Sequence, residues 1–183
     1  MSDLSIEEYH SHIRKILISE QEIQDAVKKA AKIIDDSYDG TPILLVSILK
    51  GSFVFLSDLT KAVTVPCEID FMSAKSYYES TQSSGIVKIT MDLKQDISGY
   101  NVFIIEDIID TGRTLKDVVK LLNSRKPASL KVITLLDKPS RRIVDFKADE
   151  SLFVIDDLFV IGYGLDYNEK YRNLPYIAEY YEG

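Results

Sequence analysis

The chain has 183 residues and carries 29 Asp and Glu against 22 Lys and Arg, a net charge of −7. That length suits a single domain, 1–183, and a hydrophobic content of 45% allows it a real core. The acidic balance speaks against bulk attraction to nucleic acid or an anionic membrane. The lone Cys67 allows no internal disulfide and no zinc framework, and reads as a buried small hydrophobe. No apolar run has membrane-spanning length and no signal-peptide pattern opens the chain, so a soluble, reducing, cytoplasmic setting is the expectation.

Ser19-Glu20-Gln21-Glu22 fits a capping box, and Ile23, Val27, Ala30, Ala31 and Ile34 follow it at helical spacing, with Gly40 beyond the stop. Pro42 to Leu49 reads as a buried strand, Lys50-Gly51-Ser52 as a turn, and Phe53 to Ala62 as a helix. Pro66 to Met72 is a second strand. Residues 73–85 are polar, hydroxyl-rich and loop-like, and 86–91 return to a strand pattern. Val102 to Glu106 is the next strand. Leu115, Val118, Val119 and Leu122 then put an apolar stripe on a helix. Leu130 to Leu136 is a strand, and Phe159 to Gly162 belongs to the last strand or its end. Strands alternating with helices predict an α/β fold with a mainly parallel central sheet flanked by helices. Ligands bind such sheets beyond the carboxyl ends of the strands. The loops after Leu49, Ile105, Leu136 and Ile161 are therefore expected to converge.

The stretch 102–115, VFIIEDIIDTGRTL, carries the strongest chemical signal. An apolar strand leads to Glu106 and Asp107, then to Asp110-Thr111-Gly112-Arg113-Thr114 at a helix start. Such a start leaves N–H groups without intrahelical partners, and with the helix dipole it favours a phosphate. Gly112 permits close backbone approach, and Thr111 and Thr114 add hydroxyls. Glu106 and Asp107 can accept from the hydroxyls of a sugar diol, which leaves Asp110 for proton transfer. Taken singly, each residue reads better as part of an acidic turn that caps the helix. Together they read as a ligand site. Acidic side chains beside a phosphorylated ligand also imply a bridging Mg²⁺.

This segment resembles the phosphoribosyl-diphosphate motif of the type I phosphoribosyltransferases, and the chain from about Ile43 to Ile177 resembles their hypoxanthine-guanine branch. The likeness rests on LKG at 49–51, KSYYESTQSSG at 75–85, EDIIDTGRTL at 106–115, LLDKPSRR at 135–142 and GYGLDYNEKYRNLPYI at 162–177. The last two are the more restrictive pieces. The resemblance implies the type I fold, with a small hood formed by terminal segments. It implies a purine-salvage transferase that moves 5-phosphoribose to N9 of hypoxanthine or guanine, works with Mg²⁺ and assembles as a homodimer or homotetramer. By the same resemblance Glu106 and Asp107 hold the ribose hydroxyls, and Asp110 to Thr114 cradle the 5′-phosphate. Asp110 also serves as acid/base at purine N7. Lys50 and Gly51 form the pyrophosphate loop, which often carries a cis peptide, and Arg172 also meets the pyrophosphate. Lys138 donates to the 6-oxo group, Phe159 stacks on the base and the Val160 backbone reads its edge. Asp166 lies by the purine and joins Glu106 and Asp107 as a metal residue, in its case through water. Ser76 and Tyr77 belong to a mobile loop that closes over the reacting centre.

Local readings of the same residues are plainer: Lys138 as one of a basic turn with Arg141 and Arg142, and Phe159 as core. His10 and His12 read as solvated. Tyr176, Tyr180 and Tyr181 read as packing for a C-terminal segment or a subunit contact. Two rival functions remain. A regulator that senses phosphoribosyl diphosphate and binds RNA or DNA shares the central motif, but calls for a basic surface and lacks the segments around Lys138 and Arg172. A xanthine-preferring relative differs only at C2 of the base, where backbone groups do the reading.

Overall fold

The capping box forms as read: the Ser19 hydroxyl accepts from the Glu22 N–H, and the Glu22 carboxylate accepts from the Ser19 N–H. It starts helix α2 (Glu20–Asp36), which follows a short α1 (Ile6–Ser11) and strand β1 (Ile13–Ile18). The computed structural model describes residues 6–77 and 86–182. The elements that follow α2 are β2 (Ile43–Leu49), α3 (Phe53–Ala62), β3 (Cys67–Tyr77), β4 (Ile86–Met91), β5 (Asn101–Ile109), α4 (Arg113–Asn123) and β6 (Ser129–Asp137). A 3₁₀ turn (Pro139–Arg141), β7 (Glu150–Val154), β8 (Val160–Ile161) and β9 (Ile177–Tyr180) complete them.

Six strands form the central sheet in the order β4-β3-β2-β5-β6-β7. Every neighbouring pair is parallel except β3 with β4. Side chains alternate along each strand, so each strand feeds two cores. Leu45, Phe103, Ile105 and Ile133 bury against α2 and α3 with Ile23, Val27, Phe55 and Leu59. Leu44, Val46, Ile104 and Val132 bury against α4 with Leu115, Val118 and Leu122. Burial on both faces explains why β2, broken only by Ser47, and β5 up to Ile105 read as nearly continuous apolar runs.

The hood is a separate antiparallel sheet in the order β1-β9-β8. It corrects the reading of Phe159–Gly162 as the last strand. Only Val160 and Ile161 are strand, they pair with β9 rather than the central sheet, and β9 follows them. His12 is likewise tied in, with Nδ1 at 2.9 Å from the Tyr181 carbonyl and its ring stacked on Tyr180. Three further corrections concern the central sheet. β5 continues through the acidic pair to Ile109, because the ladder to β6 runs on through Ile108 and Ile109. Residues 73–77 are strand rather than loop, since β4 supplies their backbone partners. Ser76 and Tyr77, expected on a mobile loop, therefore close β3, and 78–85 lie outside the described residues. Cys67 opens β3 half-buried rather than fully enclosed.

Candidate active site

The loops at the carboxyl ends of β2, β5 and β6 meet the hood around a cavity of about 570 Å³. Its wall includes Lys50 and Gly51, Asp107 and Asp110, Lys138, Phe159 and Val160, Asp166 and Arg172. A second cavity of about 220 Å³ adjoins it and shares Lys50, Gly51, Asp107 and Asp110. That one is lined by Glu106, Thr111, Gly112 and Thr114. Residues drawn from five stretches of sequence thus share one basin. Arg113 lines neither cavity; it is the first residue of α4, with its N–H 3.5 Å from Thr111 Oγ1.

The two carboxylates of the acidic pair are consecutive on a strand and leave it on opposite faces. Glu106 is confined to the smaller cavity, whereas Asp107 reaches both. Burial, and then the charge of Asp107, pushes the Glu106 carboxyl well above its usual range. Its Oε2 is buried with no hydrogen-bond partner. Burial also raises Asp107 to about 6, against the Ile108 N–H that donates to its Oδ1 at 2.9 Å and the distant pull of Arg172. A buried carboxylate with an unpartnered oxygen, beside a second buried carboxylate, fits hydroxyl donors or a cation. Asp166 fits a metal less directly, since Oδ1 holds Arg172 at 2.8 Å and Oδ2 accepts from the Glu169 N–H at 2.9 Å. Among the described residues no three His, Cys, Asp or Glu side chains cluster as metal ligands. Mg²⁺ commonly takes one or two carboxylates and draws its other ligands from water and substrate phosphates. The Glu106–Asp107 pair suits that pattern.

The loop at 110–114 is no simple helix cap. Gly112 is the N-cap at φ 81°, and no side chain caps the helix. A Cβ there would lie 2.9 Å from Arg142 Cδ and 3.2 Å from Val144 Cγ2, so glycine is required by both conformation and space. Asp110 instead accepts from Arg141 Nε at 3.1 Å, and Arg141 also reaches Asp157 at 3.5 Å. Arg142 donates to the Asp110 carbonyl and pairs with the buried Asp137. The basic turn is therefore a brace for the acidic loop.

Lys138 is buried, 8% exposed, and donates to the Leu158 carbonyl. Burial lowers its pKa, while Asp110 and Asp157 act to keep it charged. Its ammonium has three donors, so further acceptors can be served. Phe159 is not core: it is 53% exposed and meets Tyr167 and Tyr180 edge-on. The cis peptide lies at Leu49–Lys50, one bond before the loop expected to carry it. Sequence reasoning missed Asp157 and Leu158, which frame Lys138, and Glu169, which contacts Lys50 and Arg172. Glu169 sat inside the restrictive C-terminal segment, yet nothing in its spacing marked it.

Residues 14–168 match the phosphoribosyl transferase domain family. The chain is 48% identical over 166 residues to the hypoxanthine-guanine phosphoribosyltransferase of Streptococcus pneumoniae, covering 91% of this chain and 92% of that one. A hypoxanthine phosphoribosyltransferase structure from Staphylococcus aureus superposes with a TM-score of 0.90 at 46% identity, covering 94% of each chain. A hypoxanthine-guanine phosphoribosyltransferase from Bacillus anthracis, with a HEPES molecule in its active site, superposes at 0.87 with 46% identity. It covers 92% of this chain and 99% of that one.

Proposed function

This chain belongs to the phosphoribosyl transferase family, in its hypoxanthine-guanine branch, and from that premise we propose how its site works. It is a purine-salvage transferase that moves 5-phosphoribose from 5-phosphoribosyl 1-diphosphate to N9 of hypoxanthine or guanine. The products are IMP or GMP and pyrophosphate. The observation that carries this reading is the convergence of Asp110, Lys138 and Phe159 with Lys50 and Arg172 on one cavity. A base, a donor for an oxo group and an aromatic face stand beside two cations.

The 5′-phosphate binds at the start of α4, on Asp110 to Thr114, where helix N–H groups favour an anion. Glu106 and Asp107 accept from the ribose 2′- and 3′-hydroxyls, which supplies the partner that Glu106 Oε2 lacks. Lys50, Gly51 and Arg172 hold the diphosphate. Mg²⁺, when bound, would supply neutralising charge for the diphosphate. Glu106 and Asp107 would hold it with the donor, and Asp166 through water. Phe159 stacks on the purine, Lys138 donates to its 6-oxo oxygen, and the Val160 backbone reads the base edge beside Asp166. As the C1–O bond to pyrophosphate breaks and the C1–N9 bond forms, Asp110 takes the purine proton at N7. Positioning and proton handling supply the rest of the acceleration. Among the described residues no helix is long and apolar enough to cross a membrane. A cytoplasmic homodimer or homotetramer completes the reading, with exposed Phe53, Ile69 and Met91 as apolar surface for contacts.

A spectrophotometric assay with the diphosphate donor and Mg²⁺ tests it against hypoxanthine, guanine, xanthine and adenine. Turnover of the first two is expected. Failure with both would end the proposal, and turnover of xanthine above both would reassign the acceptor.

A further inference from the structure

Asn168 and Glu169 form the two-residue loop of a tight hairpin. Tyr167 and Lys170 exchange backbone hydrogen bonds at 3.2 and 3.0 Å across it. Both loop residues have positive φ, 51° and 64°. Such turns favour Asn-Gly, because a side chain at the second position strains the backbone. Here that position holds a glutamate. Its Oε2 lies 3.0 Å from Lys50 Nζ and 3.2 Å from Arg172 Nη2. Its N–H donates to Asp166 Oδ2 at 2.9 Å, and Asp166 Oδ1 holds the same Arg172 nitrogen at 2.8 Å. Backbone and side chain of Glu169 are thus both tied to the arginine.

Folding energy does not account for this arrangement. The side chains of Lys50 and Glu169 are 66% and 64% exposed, and an ion pair so exposed adds little to stability; Arg172 is less exposed but already holds Asp166 and the Gly164 carbonyl. A strained residue that gains so little in the folded state points to function. Its place gives the function. Lys50, Arg172 and Glu169 all line the main cavity, and the carboxylate sits between the two cations where an anion would bridge them.

We propose that Glu169 is an internal stand-in for the leaving pyrophosphate. Its carboxylate neutralises Lys50 and Arg172 while no diphosphate is bound. It yields them to the more highly charged diphosphate on entry, and reclaims them as the product departs. Glu169 is a positioning residue that acts through the two cations and touches no reacting atom. The inference rests on the reading of Lys50 and Arg172 given above.

Titration calorimetry of inorganic pyrophosphate with Mg²⁺, on the full chain, tests it. Glu169→Gln keeps shape and hydrogen bonding and removes only the competing charge. It is expected to bind pyrophosphate about three- to tenfold more tightly than the wild type. Glu169→Gly is expected to gain affinity likewise, and to melt at a higher temperature because glycine tolerates the positive φ. Affinity that is unchanged or weaker in Glu169→Gln overturns the stand-in role. If the wild type turns over hypoxanthine and binds pyrophosphate but Glu169→Gln shows no gain, this inference alone fails. If the wild type does neither, the transferase reading fails with it.

Discussion

A Cβ placed on Gly51 would lie 1.6 Å from Oδ2 of Asp107. One layer further, a Cβ on Gly164 would lie 2.0 Å from the Gly51 carbonyl oxygen. The end of β5, the loop after β2 and the loop after β8 are therefore stacked with no room for a methyl group between them. This stack presses the carboxylate of Asp107 against the loop that carries Lys50.

Gly51→Ala is accordingly expected to displace Asp107 or the loop itself. A shift of about 1 Å in a reacting geometry can cost about 10²-fold in turnover. The overpacking should cost about 1–3 kcal/mol of stability. Steady-state kinetics and denaturant unfolding check both. A variant with turnover within about threefold of the wild type would mean that the stack yields without consequence.

Asp107 should reveal itself through pH. Burial raises its carboxyl from 3.8 to about 6. Between those values the folded chain binds more protons than the unfolded one. Stability from this group is therefore intact below about 4 and lost as pH rises through about 6. Asp107→Asn removes the ionising group. In chelator and without donor, it should raise the thermal midpoint at pH 7.5 by a few degrees, on the order of 2 kcal/mol. The gain should vanish near pH 4, while transferase turnover is lost at every pH. Melting curves across that range decide the matter, and a variant less stable at pH 7.5 would contradict the assigned cause.

Much of this basin was legible in the sequence, for a physical reason. β2, α3 and α4 announce themselves because two-sided burial makes apolar runs and one-sided burial makes helical stripes. Asp110 stood out in the acidic loop itself, whereas Lys138 and Arg172 were found through resemblance, because each lies in a segment whose wording is restrictive. Of the hood strands only β8 was anticipated, within Phe159–Gly162, and β1 and β9 were not. β1 pairs with β9 across most of the chain, with Ile13 opposite Tyr180. Its burial follows no clean alternation, so the local pattern carries little signal. Glu169 was invisible for another reason: its meaning lies in the sign of φ and in cations contributed by distant loops.

Asp110 is held at the cavity edge by Arg141 rather than spent on a helix cap. Asp110→Asn keeps the shape and the acceptor oxygen but cannot take a proton. Turnover should fall by about 10²–10⁴-fold, with donor affinity near that of the wild type. Single-turnover kinetics alongside donor titration separates the two effects. Unchanged turnover would remove Asp110 from proton transfer, and a matching loss of donor affinity would recast it as a phosphate-loop residue.

Lys138 should govern which purine is accepted. Its ammonium is anchored by the Leu158 carbonyl, with Asp110 and Asp157 acting to keep it charged, and the residue is buried in the cavity wall. A 6-oxo group accepts from such a donor. The 6-amino group of adenine does not, and a buried donor left unpaired costs about 1–3 kcal/mol. The wild type should therefore prefer hypoxanthine to adenine by about tenfold or more in kcat/KM. Lys138→Gln replaces the ammonium with an amide that can turn either a donor or an acceptor to the base. Its preference should shrink toward parity, mainly through loss on hypoxanthine. Competition between the two bases in one reaction mixture measures the ratio directly. If Lys138→Gln keeps the wild-type ratio, selection lies elsewhere in the pocket, and the backbone at Val160 becomes the group to examine.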